Sequence, residues 1–296
     1  MSTASRWLLT FAIASILLGG AAVYAAFPSG KPAATGSTES PTSGGGDALP
    51  SASPSPSAPG VPDDMSDLLV GPHTVNVKAT GWYSWAVTDL RTGKVYGSKN
   101  MHETQKTASM IKAWIAADYL RRMAEAGKTP SSGYLDLAAK AVQRSDNSAA
   151  STLFAAVGQS ASTKRMISMC ALEDSQAFDN WSNTLLSAYD TAKLGACIAK
   201  GVAAGPKWTT WLLTKMRTVI LGNWGIRKAF PDDVAKTIAV KNGWVDRQAT
   251  QTYTVNCLGI GENWAMGVMT HYPLSFSAGE AYGAGICKQV AAALKN

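Results

Sequence analysis

The chain has 296 residues, 46% of them hydrophobic and 16% charged, enough for one large α+β domain or two small ones once its tails are set aside. Its formal net charge of +7 is not gathered into Lys/Arg runs, which argues against a dedicated nucleic-acid surface. The only histidines are His73, His102 and His271, and there is no His-x-His or Cys-x-x-Cys pair, so neither a metal nor another cofactor is expected.

Residues 7–27, from Trp7 to Phe27, carry no charge and follow Arg6, a pattern of export. Two versions fit: a signal peptide cleaved near Val23, Ala25 and Ala26, or an uncleaved anchor of roughly 20 residues spanning a bilayer. The stretch has no Cys, which excludes a lipid-modified cysteine at its end. From Pro28 to Asp64 the chain is Ser, Pro, Gly, Ala and Thr with almost nothing to bury, so residues 28–64 read as a disordered linker reaching on the order of 35 Å. A folded domain is expected over residues 65–296, extracytoplasmic, monomeric, and tied to the membrane only through the N-terminal segment.

Its first signal is a β-hairpin, Gly81 to Leu90 and Lys94 to Gly97 around Arg91-Thr-Gly93. Apolar positions at Met110, Ile111, Trp114, Ile115, Tyr119 and Leu120 predict a helix from Ser109 to about Ala126, stopped by Gly127 and Pro130. Leu135 to Val142, Ala149 to Val157 and Ala188 to Ala203 also read as helices. Thr237 to Val245, Thr250 to Ile260 and Asn263 to His271 read as three strands in a meander, and Gly279 to Leu294 as a closing helix. Chain ends that meet in one antiparallel sheet, with helices inserted between them, imply an α+β fold with a cleft between the two parts.

Cys170, Cys197, Cys257 and Cys287 would meet an oxidising compartment after export. The pairing that staples neighbouring elements of this layout is Cys170 with Cys197 and Cys257 with Cys287; the alternative is four buried thiols.

Three elements carry candidate chemistry: Ser109-Met-Ile-Lys112 at a helix start, Ser145-Asp-Asn147 between helices, and Lys241-Asn-Gly243 on a strand. Singly each is weak, but in this order and context they form a signature set for acyl transfer. Residues three apart on a helix share a face, so Lys112 can reach Ser109. A serine hydroxyl needs a base to become a nucleophile, and a lysine serves once burial and nearby cations lower its pKa. Ser145 and Lys241 would face the same point, Ser145 passing a proton to the leaving nitrogen and Lys241 holding a substrate carboxylate.

On these residues the chain resembles the class A β-lactamases and penicillin-binding proteins, particularly an actinobacterial β-lactamase-related group with the forms Arg144-Ser-Asp-Asn147, Asn223-Trp-Gly-Ile226 and Val240-Lys-Asn-Gly-Trp244. The resemblance implies a β-lactamase/transpeptidase-like fold with a reduced helical subdomain and the site in the cleft. It implies Ser109, Lys112, Ser145 and Lys241 as catalytic residues, with Asn147, Asn242, Gly243 and Trp244 contacting substrate. The backbone N–H groups of Ser109 and Trp244 would form the oxyanion hole. The substrate would be a β-lactam or a peptidoglycan peptide; a catalytically weak protein of this fold that binds cell-wall components is the alternative.

Two departures stand out. Position 242 is Asn where the family carries Thr or Ser. In residues 172–188, where class A enzymes present a glutamate that activates the deacylating water, the acids are Glu173, Asp174 and Asp179. Asp179 precedes Asn183 at the family's spacing of four but is one methylene short, so it is a weak candidate for the deacylation base beside its plain reading as a solvated loop acid. Trp181, Trp224 and Trp244 are expected near the cleft, Trp114 in the core, and His271 in a structural role.

Overall fold

In the computed structural model the run of aromatic and β-branched residues at Trp82–Asp89 forms strand β1, whose last six residues are buried. It turns back through Gly93, at φ +77, into the short strand β2, Val95–Gly97. Strands β5 (Ala239–Arg247), β6 (Thr252–Ile260) and β7 (Trp264–Pro273) form the meander, and β7 pairs with β1 from Trp82↔His271 to Asp89↔Trp264. The sheet is antiparallel in the order β2-β1-β7-β6-β5, so the two ends of the folded chain meet at β1 and β7 and leave β5 as an edge. The structure describes residues 75–276 and 278–295, which fall in one unit spanning Pro59–Asn296. The export segment 1–27 and the linker 28–64 lie outside the described residues. Among the described residues, no helix is long and apolar enough to cross a membrane.

Between β2 and β5 the chain is mostly helical: α1 (Lys112–Glu125), α2 (Ser132–Gln143), α3 (Asn147–Ala156), α4 (Ser160–Met169), α5 (Ala188–Ala199), α6 (Thr209–Arg217) and α7 (Asp232–Thr237). Two three-residue strands, β3 (Thr104–Lys106) and β4 (Leu185–Ser187), pair apart from the main sheet. One core fills the space between the sheet and helices α1, α2, α3 and α5, around Trp114, Ile115, Leu120, Leu153 and Met269. On the other face α8 (Glu280–Ala293) packs Ile286 and Val290 against Val255, Trp264 and Tyr272. Cys170 pairs with Cys197, joining the end of α4 to α5, and Cys257 with Cys287, joining β6 to α8. Both are the expected pairs, and each fixes a helix to its neighbour.

Helix α1 is buried from Lys112 to Arg121 and carries a polar network inside the helical block. The Asp118 carboxylate, fully buried, accepts from Arg121, from Arg165 and from Ser162 Oγ, while Trp114 Nε1 donates to Ser162 O. Two guanidinium groups offset the desolvation of one carboxylate, and the contacts tie α1 to α4. The α-helix begins at Lys112, not at Ser109: residues Ala108–Ile111 form a 3₁₀ turn, entered through Ala108 at φ +49. Helix α5 likewise stops at Ala199, four residues early, where Gly201 adopts φ +81. Helices α4, α6 and α7 and strands β3 and β4 were not expected.

Candidate active site

Ser109 is brought to the cleft by the segment before it. The Thr107 N–H donates to Thr184 O (2.9 Å), and Lys106 O accepts from Asn256 Nδ2 on β6 (2.8 Å). Ala108, buried in the left-handed region, then turns the chain into the 3₁₀ turn that presents Ser109 half-buried. The turn lies directly on the β5 edge at Gly243. A Cβ there would stand 2.8 Å from Ser109 N and 2.6 Å from Thr107 O and would also strike Met110 N, so only glycine permits the approach. Ser109 Oγ has no hydrogen-bond partner among the described residues; the direct bond to Lys112 expected from the spacing is not made.

The Lys112 ammonium donates to Ser145 O (2.5 Å) and Asn147 Oδ1 (2.7 Å), with the Trp181 ring 4.8 Å away. Ser145 sits between two amines because its φ is +55: its carbonyl meets Lys112 while its Oγ accepts from Lys241 Nζ (3.1 Å). Lys241 also donates to Asn242 O (2.9 Å). A non-glycine residue in this region costs on the order of 1–3 kcal/mol and is kept where the surroundings over-determine it. Asp146 then caps α3 by accepting from Ala149 N (2.7 Å), which places Asn147 on the helix's first turn. Burial lowers Lys112 to about 8, against a smaller opposing pull from Asp146. Lys241 is held well below the usual lysine range, first by burial and then by the charge of Lys112. Both are fully enclosed by protein, so each parts with its proton more readily than a free lysine.

The strand wall differs from expectation. Asn242 is 1% exposed, and its Nδ2 donates to Gly222 O and Trp224 O, both at 2.8 Å. Both side-chain N–H groups of Asn242, expected to contact substrate, are thus taken up within the protein. Gly243, also expected to contact substrate, is buried and serves the close approach of Ser109. Trp244 is half-buried and meets Trp224 edge-on at 5.5 Å.

The facing wall is the segment before β4. Among its acids, Glu173 bonds Lys193 (2.8 Å) and Asp174 bonds Ser187 Oγ (2.7 Å) and His102 (2.9 Å), which holds both against α5. Asp179 is exposed and borders a cavity of about 490 Å³ with Asn147, Ser151, Phe154, Gln159 and Trp181. Trp181 Nε1 donates to Ser151 Oγ (3.3 Å), which steadies the ring over Lys112.

A family profile described as the β-lactamase enzyme family matches residues 125–296, a span that holds Ser145 and Lys241 but begins after Lys112. The chain belongs to the β-lactamase enzyme family. Its fold is that of solved β-lactamases. One from Chitinophaga pinensis is 21% identical, with a TM-score of 0.60 over 71% of this chain and 93% of its own. One from Xanthomonas campestris is 16% identical, with a TM-score of 0.58 over 73% and 91%. The TLA-1 extended-spectrum β-lactamase is 17% identical, with a TM-score of 0.61 over 73% and 94%. No curated protein matches the sequence.

Within this β-lactamase fold the structure gathers Lys112, Ser145, Asn147 and Lys241 through direct bonds, with Ser109 against the strand that carries Lys241. His271 lies elsewhere, stacked on Trp82 and bonded to Gln105, a structural position as expected. Sequence reasoning missed Gln143, whose carbonyl accepts from Ile220 and Leu221 (2.8 and 3.0 Å), and Thr107, which ties the approach to Ser109 to the opposite wall. No sequence signal marked either, because their partners lie more than seventy residues away along the chain.

Proposed function

We propose that the protein is an exported serine hydrolase that forms an acyl-enzyme at Ser109 on β-lactam amides and releases it slowly. The observation that carries this reading is Ser145, held through its carbonyl by Lys112 and through its hydroxyl by Lys241. Lys112, poised near 8, takes the proton of Ser109 Oγ as that oxygen attacks the amide carbon. The backbone N–H groups of Ser109 and Trp244 stabilise the oxyanion. As the carbon–nitrogen bond breaks, Ser145 gives its hydroxyl proton to the leaving nitrogen and recovers one from the lysines beside it. Because Ser145 Oγ accepts from Lys241, its own proton stays free for that transfer.

Slow release follows from the facing wall. Hydrolysis of the ester needs a base to activate water, and the Lys112 ammonium meets an indole there in place of a carboxylate. Asp179 is the acid that reaches the same cavity, and its exposed position makes it at best a weak base for this step. Such behaviour suits a penicillin-binding protein acting on peptidoglycan stem peptides, and the two disulfides support work outside the cytoplasm.

Labelling the folded protein with a fluorescent penicillin tests the reading. Stoichiometric label in the parent and none in Ser109→Ala supports it. A second reading, a cell-wall binder that has lost catalysis, rests on Ser109 Oγ lacking a partner while Lys112 is occupied by Ser145 and Asn147. Absence of label at any concentration, with retained binding to peptidoglycan, would favour it.

A further inference from the structure

We propose that Asn242 is a positioning residue: it fastens the 220–224 segment to β5 as a strut that holds the Ser145 and Lys241 sides of the cleft in register, and it does not contact substrate. The strut joins the two elements that carry these residues. At one end the Ile220 and Leu221 amides donate to the carbonyl of Gln143, two residues before Ser145. Gln143 Nε2 reinforces that end by donating to Thr218 Oγ1 (2.8 Å). At the other end Asn242, the residue after Lys241, donates to Gly222 O and Trp224 O. The segment therefore runs parallel to the bond of 3.1 Å between Lys241 Nζ and Ser145 Oγ, and loosening it lets that pair drift.

The side-chain type is matched to this task. The carbonyls of Gly222 and Trp224 need two diverging donors from one buried group, which a planar carboxamide supplies. A threonine or serine hydroxyl has a single proton, and an ionised aspartate has none. The amide is kept although its Oδ1 is buried without a hydrogen bond, so this position is specified by the donors. The segment also supports the oxyanion side. Gly222, at φ +80, lies so close to Trp244 that a Cβ would stand 2.9 Å from Cζ3, and Trp224 meets the same ring. Arg227 Nη1 holds Asn223 Oδ1 (2.9 Å) from behind.

The kinetic test rests on the acyl-enzyme reading; a second arm does not. In the full chain, Asn242→Thr and Asn242→Asp are expected to lower the second-order rate constant for acylation by a β-lactam at least tenfold, measured on the folded fraction. A merely structural role would lower Tm and leave that constant unchanged. Asn242→Thr acylating within twofold of the parent, or faster, overturns the proposal, because threonine would then restore a substrate contact. The second arm is NMR of the unaltered chain labelled with ¹⁵N-asparagine. The Asn242 side-chain amide should exchange with solvent at least a hundredfold more slowly than that of exposed Asn180, and exchange at a similar rate overturns the proposal even if a variant fails to fold. If the parent forms no adduct, the acyl-enzyme reading fails, and the NMR arm still decides whether the Asn242 side chain is fastened in the strut.

Discussion

The two walls of the cleft are built differently. On the side of Ser145, Lys241 and β5, buried groups meet through bonds of 2.5–3.1 Å, and Ser145 is held in an uncommon backbone conformation by two amines. On the side of Asp179 and Trp181, the residues are largely exposed and the side-chain bonds are longer, 3.3 Å from Trp181 Nε1 to Ser151 Oγ and 3.4 and 3.5 Å from Arg247 to Ser182 O and Asn183 Oδ1. Attack on an amide needs the first kind of order, because charge develops within a fixed geometry. Hydrolysis of the ester needs only a placed water and a base, and the looser wall supplies neither in finished form. On the proposed reading the contrast separates acylation from deacylation, one set by a rigid constellation and the other left to an exposed loop.

Removing Lys241 should break the comparison most strongly. Lys241→Ala takes the donor from Ser145 and is expected to slow acylation by about 10²–10⁴-fold, the range for losing a proton-transfer or electrostatic group. Stopped-flow acylation on folded protein measures it, and a loss under threefold would mean that the rigid wall is not where bond-breaking is organised.

The pH profile comes next. The proposed base is neutral Lys112, which burial lowers to about 8, so the acylation rate should climb about tenfold per unit below that pH and level off above it. Stability should move in a related way. Lys112 folded has a lowered pKa, so between about 8 and its ordinary value of 10.5 the unfolded chain holds more protons, and stability rises with pH across that window. Denaturant midpoints at pH 7.5 and 9.5 test the sign, and a fall across the window would contradict the burial of this amine.

The smallest effect is expected from the loose wall. Asp179→Asn should leave acylation within about threefold and change release of the acyl group by less than about tenfold, below the usual contribution of a placed general base. A drop of several hundredfold in release would show that Asp179 is a placed base and that the two walls are equally finished.

Much of this was legible in the chain. The hairpin, the three-strand meander and the closing helix follow from apolar periodicity and turn residues, which are local signals, and both disulfides follow from the neighbouring elements of that layout. The order of the three motifs also pointed to one place, and the structure gathers Lys112, Ser145, Asn147 and Lys241 there. What escaped depends on distant partners. Helix α4 is rich in Ser, Thr, Lys and Arg and is held by Asp118 of another helix, so its own apolar pattern is faint. The 3₁₀ turn at Ser109 is entered through Ala108 at φ +49, and the backbone of Thr107, Ser109 and Met110 lies against Gly243, which no spacing encodes. The partners of Asn242 were likewise hidden, because they lie about twenty residues back in the sequence.

The most direct test of the whole account is a pulse-chase by intact-protein mass spectrometry. The full chain is pulsed with a penicillin, freed of excess reagent and followed over time, with Ser109→Ala alongside. The account predicts one adduct per parent chain, absent from the variant, that persists long after the pulse. Rapid return to the unmodified mass with many β-lactams hydrolysed per chain, or no adduct at all, would contradict it.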